Sequence, residues 1–289
     1  MFRFVNIGST CYLNTGLQLL FRAETLNRRL DAVTIEATSP ETEFLKEYDN
    51  LRRLTLSSGD CTIRPERFVC ACHGLARHKK HSAFSSLGQQ DICEFFHFVI
   101  ESLHLALVVG KENEPSVVAR DILKGVYQTP VAETFFGVQS YTIRDGDTIL
   151  QKTYEPFFLL DLPIPSTGNA TLVQCFAAAC EPETIEGYEC NDGSLKTVTR
   201  TLHVEKWPTD LIVSLKRFLP DGRKNNAHVS ETFFADTYKL VAVANHGGGV
   251  QGGHYVASVL YGDKWVFVDD ENVYPNPMPS KGAYCFMFS

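Results

Sequence analysis

The sequence predicts an α+β fold, in one domain spanning residues 1–289, helical first and antiparallel later. Three observations carry this. Apolar residues recur at helical spacing through the first third of the chain. From Val131 onward the pattern alternates as in strands and is punctuated by glycine-bearing turns. No internal repeat, low-complexity tract or linker interrupts the 289 residues, and 44% of them are hydrophobic, enough for a sizeable core.

Taken in order, Leu13, Leu17, Leu20 and Phe21 follow Gly8, Ser9 and Thr10, a turn and then N-cap residue types, so a buried helix is expected to open at Cys11. Phe44, Leu45, Tyr48, Leu51 and Leu54 form a second apolar stripe. Pro65 suits the first turn of a third helix, which buries Phe68, Val69 and Cys72. Arg77–His81 reads as an exposed basic loop. A long helix from about Gln89 to Val108 buries Ile92, Phe95, Phe96, Val99, Ile100 and Leu103, and a polar loop is expected at 110–115. Thr142–Arg144, the Asp145-Gly146 turn and Thr148–Leu150 suggest a hairpin. Leu172–Cys180 reads as a helix, and Thr197–Val204, Leu211–Phe218 and Tyr238–Ala244 as strands.

Two stretches carry chemistry. Cys11, at the start of its helix, is placed where free N–H groups and the positive dipole end favour a thiolate. A buried cysteine is more often only a small hydrophobe. His254 follows Gly252-Gly253 and opens an apolar strand; Gly262-Asp263 marks a turn and Trp265–Val268 the return strand. Such a hairpin brings His254 and Asp269 to the same open end. There an Asp can hold one imidazole nitrogen and leave the other facing a nucleophile. Cys11, His254 and Asp269 then fit the roles of a cysteine-protease triad.

These stretches resemble the Cys box and His box of the ubiquitin-specific protease (USP) family of deubiquitinases. Gln89-Gln90-Asp91-Ile92-Cys93-Glu94-Phe95-Phe96 resembles that family's Gln-Gln-Asp helix, Leu215-Lys216-Arg217-Phe218 its Leu-Lys-Arg-Phe strand, and Ala283-Tyr284-Cys285-Phe286 its closing strand. The five blocks stand in family order across nearly the whole chain. The resemblance implies a papain-like cysteine protease with thumb–palm–fingers architecture, the thumb at about 1–125 and fingers and palm at about 126–289. It implies hydrolysis of the isopeptide or peptide bond after the C-terminal Gly-Gly of ubiquitin, through a thioester. Cys11 would be nucleophile, His254 base and then acid, and Asp269 the orienting acid, with adjacent Asp270 able to share that role. Asn6 would donate its side-chain amide to the oxyanion, a contribution of roughly 3 kcal/mol, although by itself it reads as a turn residue. Asp91 and Glu94 would pair with arginines in ubiquitin's tail. On the residues alone they are carboxylates favoured by a helix N-terminus. Phe218, Gly252, Gly253 and Tyr255 are candidates for the walls of the tail channel, and the two aromatics serve equally as core.

The chain departs from the family at the fingertips. Where two Cys-x-x-Cys pairs would hold zinc, it has Arg144-Asp145-Gly146-Asp147 and Cys190-Asn191-Asp192-Gly193. One ligand of four cannot hold tetrahedral zinc, so reduced, zinc-less fingers are expected, with no metal and no cofactor. The cluster Cys70, Cys72, His73, His78 and His81 matches no common zinc spacing. A net charge of −7 argues against nucleic-acid binding, and no apolar run reaches a membrane span. With no signal-peptide core and nine cysteines, a reducing intracellular compartment, cytoplasmic or nuclear, is expected. The expected partner is ubiquitin or ubiquitin-conjugated protein, acted on by a monomer. Alternatives are a protease for a ubiquitin-like modifier, a catalytically weak ubiquitin-binding pseudoprotease, and a peptidase that processes ordinary polypeptides.

Overall fold

Helical spacing in the first half and alternation in the second translate directly into the architecture of the computed structural model, which describes residues 1–108, 116–166, 168–233, 237–249, 252–275 and 282–289. The first part is β1 (Phe2–Phe4), α1 (Cys11–Leu20), α2 (Glu24–Leu30), α3 (Pro40–Ser57), β2 (Cys61–Ile63), α4 (Glu66–His78), α5 (Ile92–Val108), α6 (Ala119–Leu123) and α7 (Pro130–Phe135). There follow β3 (Gly137–Asp145), β4 (Thr148–Phe157), β5 (Leu159–Leu162), β6 (Ala170–Thr171), α8 (Leu172–Cys180), β7 (Glu183–Glu189) and β8 (Leu195–Lys206). The last part is β9 (Leu211–Leu215), β10 (Val229–Ser230), β11 (Leu240–Gly249), β12 (Gly252–Tyr261), β13 (Lys264–Asp269), β14 (Asn272–Pro275) and β15 (Ala283–Phe288). The loop expected at 110–115 lies outside the described residues.

The strands make a seven-stranded sheet in the order β14-β13-β12-β11-β15-β9-β5 and a four-stranded sheet β4-β3-β8-β7. The large sheet is buried on both faces along β9 and β15, and period-two alternation decides which residue goes where. Ala242, Ala244, Cys285 and Met287 face the core shared with the helices. Val243, Phe286 and Phe288 face a second core closed by Leu172 and Cys175 of α8 and by Phe233. Every residue of β15 is buried.

Helix α1 lies between the helices and this sheet with all ten residues buried. Two of its polar side chains donate to β1: Gln18 Nε2 to the Phe2 carbonyl at 3.0 Å and Asn14 Nδ2 to the Phe4 carbonyl at 3.4 Å, while the amide oxygens of both are buried without a protein partner. Gly16 is where α1 presses on α5; a Cβ there would lie 2.6 Å from Phe95 Cδ1.

Four boundaries differ from expectation, each for a local reason. α5 starts at Ile92 rather than Gln89, because Asp91 Oδ1 accepts from the Cys93 N–H at 2.7 Å and caps the helix from outside. α4 continues to His78, so part of the expected basic loop is a final helical turn, where cations suit the dipole. β9 stops at Leu215 because the buried Arg217 guanidinium turns inward, donating to the carbonyls of Ala283, Asn225 and Ala227. β11 runs on through Gly247–Gly249, which pair with His254, Gly253 and Gly252.

Candidate active site

The chain enters α1 through a tight turn, Gly8 at φ 120° and Ser9 at φ 54°. Asn6 organises it: its Oδ1 accepts from the Gly8 and Thr10 N–H groups at 3.1 and 3.2 Å. Thr10 occupies the N-cap position but its hydroxyl makes no cap bond and accepts from the Ile7 N–H instead. Cys11 is therefore the first helical residue, and it is buried. Burial pushes its thiol up from the usual value, and the charge of Asp270 adds to that. The backbone N–H of Tyr255 pulls the other way, as do those of Tyr12 and Cys11 itself. Burial is the largest of these effects and opposes the thiolate that the helix start was expected to favour. Among the described residues no hydrogen bond joins that thiol to His254.

The β12–β13 hairpin turns at Gly262, and its register, in which Ala257 pairs with Val268, leaves His254 diagonally across from Asp269 at the open end. His254 Nε2 and Asp269 Oδ1 are 2.6 Å apart. The ring's other nitrogen, Nδ1, is left for a reacting group, and Tyr255, the next residue, is the one whose N–H reaches Cys11.

Asp270 does something different from the shared role expected of it. It sits at φ 50°, a left-handed conformation. Its Oδ2 accepts from Asn6 Nδ2 at 2.9 Å and its Oδ1 from Asn14 Nδ2 at 2.7 Å. Asn6 thus spends its amide on Asp270 in the free protein, where an oxyanion donor was expected. His254, Asp269 and Asp270 lie close enough together to offer a metal three ligand atoms. The His254–Asp269 bond and the bonds of Asp270 to the two asparagines already engage these groups.

A cleft of about 450 Å³ opens beside Cys11. One wall is Tyr12, Gln89, Gln90, Asp91 and Glu94; the other is Phe218, His246, Gly249, Gly252, Gly253 and Tyr255. All six residues expected at a substrate tail line it, but Asp91, Gly253 and Phe218 have additional structural duties. Asp91 Oδ2 accepts from the Tyr255 and Tyr284 hydroxyls at 3.1 and 2.9 Å, so it fastens α5 to the large sheet. Burial and the Asp91 charge push both phenols up. Gly253 is glycine because β11 crowds it: a Cβ there would lie 2.1 Å from His246 Nε2 and 2.3 Å from the Gly247 carbonyl oxygen. Phe218 packs edge-on against His246 and Tyr284. Glu94 is exposed at the cleft rim.

Sequence reading missed His246, Gln89 and Asn14 as site residues. Gln89 Nε2 reaches across the cleft to the Gly253 carbonyl at 3.3 Å. His246 stacks on Tyr255, ring centroids 4.5 Å apart. Lys224 Nζ lies 2.9 Å from its Nδ1 and donates to its carbonyl at 2.6 Å. Burial, then the Lys224 charge, lowers its imidazole to about 4, so it is neutral. The signals available were the placement of Asn14 one helical turn from Cys11, the Gln-Gln pair itself, and a histidine opening the glycine run.

Away from the cleft, Cys190 is the one cysteine among the described fingertip residues; Asp145 Oδ2 accepts from Lys196 Nζ and Asp192 Oδ1 from the Ser194 hydroxyl. On α4, Cys72 is buried and Cys70 exposed, so the two do not converge.

The chain is similar to ubiquitin carboxyl-terminal hydrolase Usp2 of Drosophila melanogaster, 24% identical over 326 residues, covering 98% of this chain and 34% of that protein. It is similar also to ubiquitin carboxyl-terminal hydrolase 2 of Rattus norvegicus, 26% identical over 316 residues, covering 93% and 50%. The chain thus spans a third to a half of the length of these curated relatives. Among solved structures it resembles the SAGA DUB module of Ubp8, Sgf11, Sus1 and Sgf73 bound to monoubiquitin, with a TM-score of 0.76 at 21% identity over 99% of this chain and 68% of that one. The same module bound to ubiquitin aldehyde gives 0.75 at 21%, covering 99% and 69%. These likenesses establish the fold. Residues 2–288, the thiol-bearing helix and the His254–Asp269 hairpin included, match the ubiquitin carboxyl-terminal hydrolase family, and the chain belongs to that family.

Proposed function

We propose that this chain is a cysteine-type deubiquitinase, which cleaves the isopeptide or peptide bond after the C-terminal Gly-Gly of ubiquitin. The observation that carries the reading is the 2.6 Å pairing of His254 Nε2 with Asp269 Oδ1 on a hairpin whose next residue, Tyr255, contacts the Cys11 thiol through its N–H. A thiol held neutral by burial has to surrender its proton as it attacks. His254 Nδ1 takes that proton while Cys11 Sγ bonds to the Gly carbonyl carbon. Asp269 stabilises the imidazolium that forms. The imidazolium then protonates the leaving amine, and a thioester remains. Water, deprotonated by His254, hydrolyses the thioester and restores the thiol. Backbone N–H groups of Cys11 and Tyr12 lie at the helix start, where a developing oxyanion is stabilised. Asn6 adds its amide once substrate draws it from Asp270.

The cleft walls support an extended, side-chain-poor substrate tail, with Glu94 and Asp91 supplying negative charge on one side. We infer that the fingers hold no zinc, that the chain acts as a monomer on ubiquitin conjugates and that it works inside the cell, in cytoplasm or nucleus. Among the described residues no helix is long and apolar enough to cross a membrane.

The test is hydrolysis of ubiquitin bearing a fluorescent C-terminal amide, beside ubiquitin-like modifiers carrying the same group. Turnover of ubiquitin that disappears in Cys11→Ala is expected. Turnover of another modifier alone would keep the chemistry and reassign the substrate. A second reading, a ubiquitin-binding pseudoprotease, draws on the burial of that thiol; tight ubiquitin binding with no turnover would favour it.

A further inference from the structure

Outside the catalytic residues, two more thiols meet at the joint between helices and sheet. Cys93 lies in the first turn of α5 and Cys285 in β15, and their sulfur atoms are 3.5 Å apart. Both are free thiols. Cys93 is partly exposed, whereas Cys285 is fully buried. The pair sits beside the hydrogen bonds by which Asp91, two residues before Cys93, holds Tyr255 and Tyr284 across the same joint. Two thiols in contact, on separate elements, one of them reachable from solvent, are the arrangement that forms a disulfide once an oxidant arrives.

We propose that Cys93 and Cys285 form a reversible redox site that ties the first turn of α5 to β15 and closes down the cleft. The oxidant is a hydroperoxide, small enough to reach a partly exposed sulfur. The Cys93 thiolate attacks one peroxide oxygen; the O–O bond breaks, hydroxide leaves, and Cys93 becomes a sulfenic acid. The Cys285 sulfur then attacks Cys93 Sγ and displaces hydroxide, which leaves as water with the Cys285 proton. In sum, two thiols and one hydroperoxide (hydrogen peroxide) give one disulfide and two waters, with sulfur oxidised and peroxide oxygen reduced. Cys93 is the attacking thiol because it is the exposed one; Cys285, whose thiol burial pushes well up, resolves. A disulfide requires the sulfurs to close to about 2.05 Å, which draws the turn that carries Asp91 toward the sheet. Asp91 and Glu94 line the cleft, so the movement reshapes the wall against which the substrate tail lies.

The functional consequence rests on the deubiquitinase reading, but formation of the bond does not, and the experiment separates them. Hydrogen peroxide is applied to the Cys11→Ser protein, and tryptic peptides are mapped by mass spectrometry without reductant. A linked Cys93–Cys285 peptide that dithiothreitol removes is expected; its absence overturns the proposal whether or not the chain is an enzyme. Wild-type, Cys93→Ser and Cys285→Ala proteins are then oxidised alike, and hydrolysis of the fluorescent ubiquitin amide is followed. Wild-type is expected to lose activity by about tenfold or more beyond either variant, since a displacement of about an ångström can cost up to about 10²-fold, and to recover it with dithiothreitol. Equal losses in all three would assign the effect to Cys11 and overturn the regulatory role. Inactivity of the reduced wild-type enzyme would instead count against the deubiquitinase reading and leave the peptide result standing.

Discussion

Asp269 and Asp270 are adjacent carboxylates with separate work. Asp269 faces His254, and Asp270 gathers Asn6 and Asn14. Their substitutions therefore divide cleanly. Asp269→Ala removes the group that orients the base, and kcat/KM on the ubiquitin amide is expected to fall by about 10²-fold, the lower range for acid–base catalysis, with little change in thermal stability. Asp270→Ala leaves the Asn14 amide short of its closest acceptor in a buried setting and is expected to cost about 1–3 kcal/mol of stability, read by denaturant melts. It also releases the turn before Cys11. If Asp270→Ala proved as stable as wild type, Asp270 would not be the anchor of that turn. His246 was hidden from sequence reading because its importance comes from three residues distant in the chain, Lys224, Phe218 and Tyr255.

At the scale of elements, the site is a meeting of one helix start with one hairpin, and glycines set how closely they meet. Gly253 has no room for a Cβ against His246 and the Gly247 carbonyl. Gly253→Ala is expected to strain the β11–β12 ladder, with a loss of about 1–3 kcal/mol and at least about tenfold in kcat/KM, since His254 is the next residue and a small misplacement is costly. Gly16→Ala wedges α1 away from Phe95 of α5; a similar loss of stability is expected, and differential scanning calorimetry measures it. The longer helices and several strands were legible from periodicity: α8 and the β3–β4 and β12–β13 hairpins fall where spacing and turn residues put them. The ends of α5 and β9 were not, because Asp91 as a cap and Arg217 as an inward anchor act through partners that no local pattern reveals.

Across the whole molecule, two buried titratable groups oppose one another in acid. Asp210 is raised to about 6, mainly by burial. Its folded-state value exceeds the unfolded one, so the folded chain binds more protons between about pH 4 and 6, and stability is lost as pH rises through that window. His246 is lowered to about 4. There the unfolded chain binds more protons, and stability is lost as pH falls from about 6.5 to 4. Each shift of about two units corresponds to about 3 kcal/mol at most, so the two slopes largely offset. Asp210→Asn is expected to stabilise at pH 8 relative to pH 4 and to steepen the acid-side loss; His246→Gln is expected to flatten it. Thermal melts from pH 4 to 8 measure both, and parallel wild-type and variant curves would show that neither group titrates as described.

By itself the sequence determined the α+β class, five of the helices, the hairpin that brings His254 and Asp269 to one end and the position of Cys11 at a helix start. These follow from short-range rules: side-chain period, turn residues and hairpin register act within about twenty residues. Tertiary structure alone decided that the Cys11 thiol rests protonated, because desolvation depends on what covers it. It alone turned Asn6 and Asp270 into partners, made Asp91 a clasp for two tyrosines, and brought Cys93 against Cys285 across 192 positions of chain. Each of those is a contact between elements remote in sequence, and its chemistry is set by distance and burial, which the order of residues does not state.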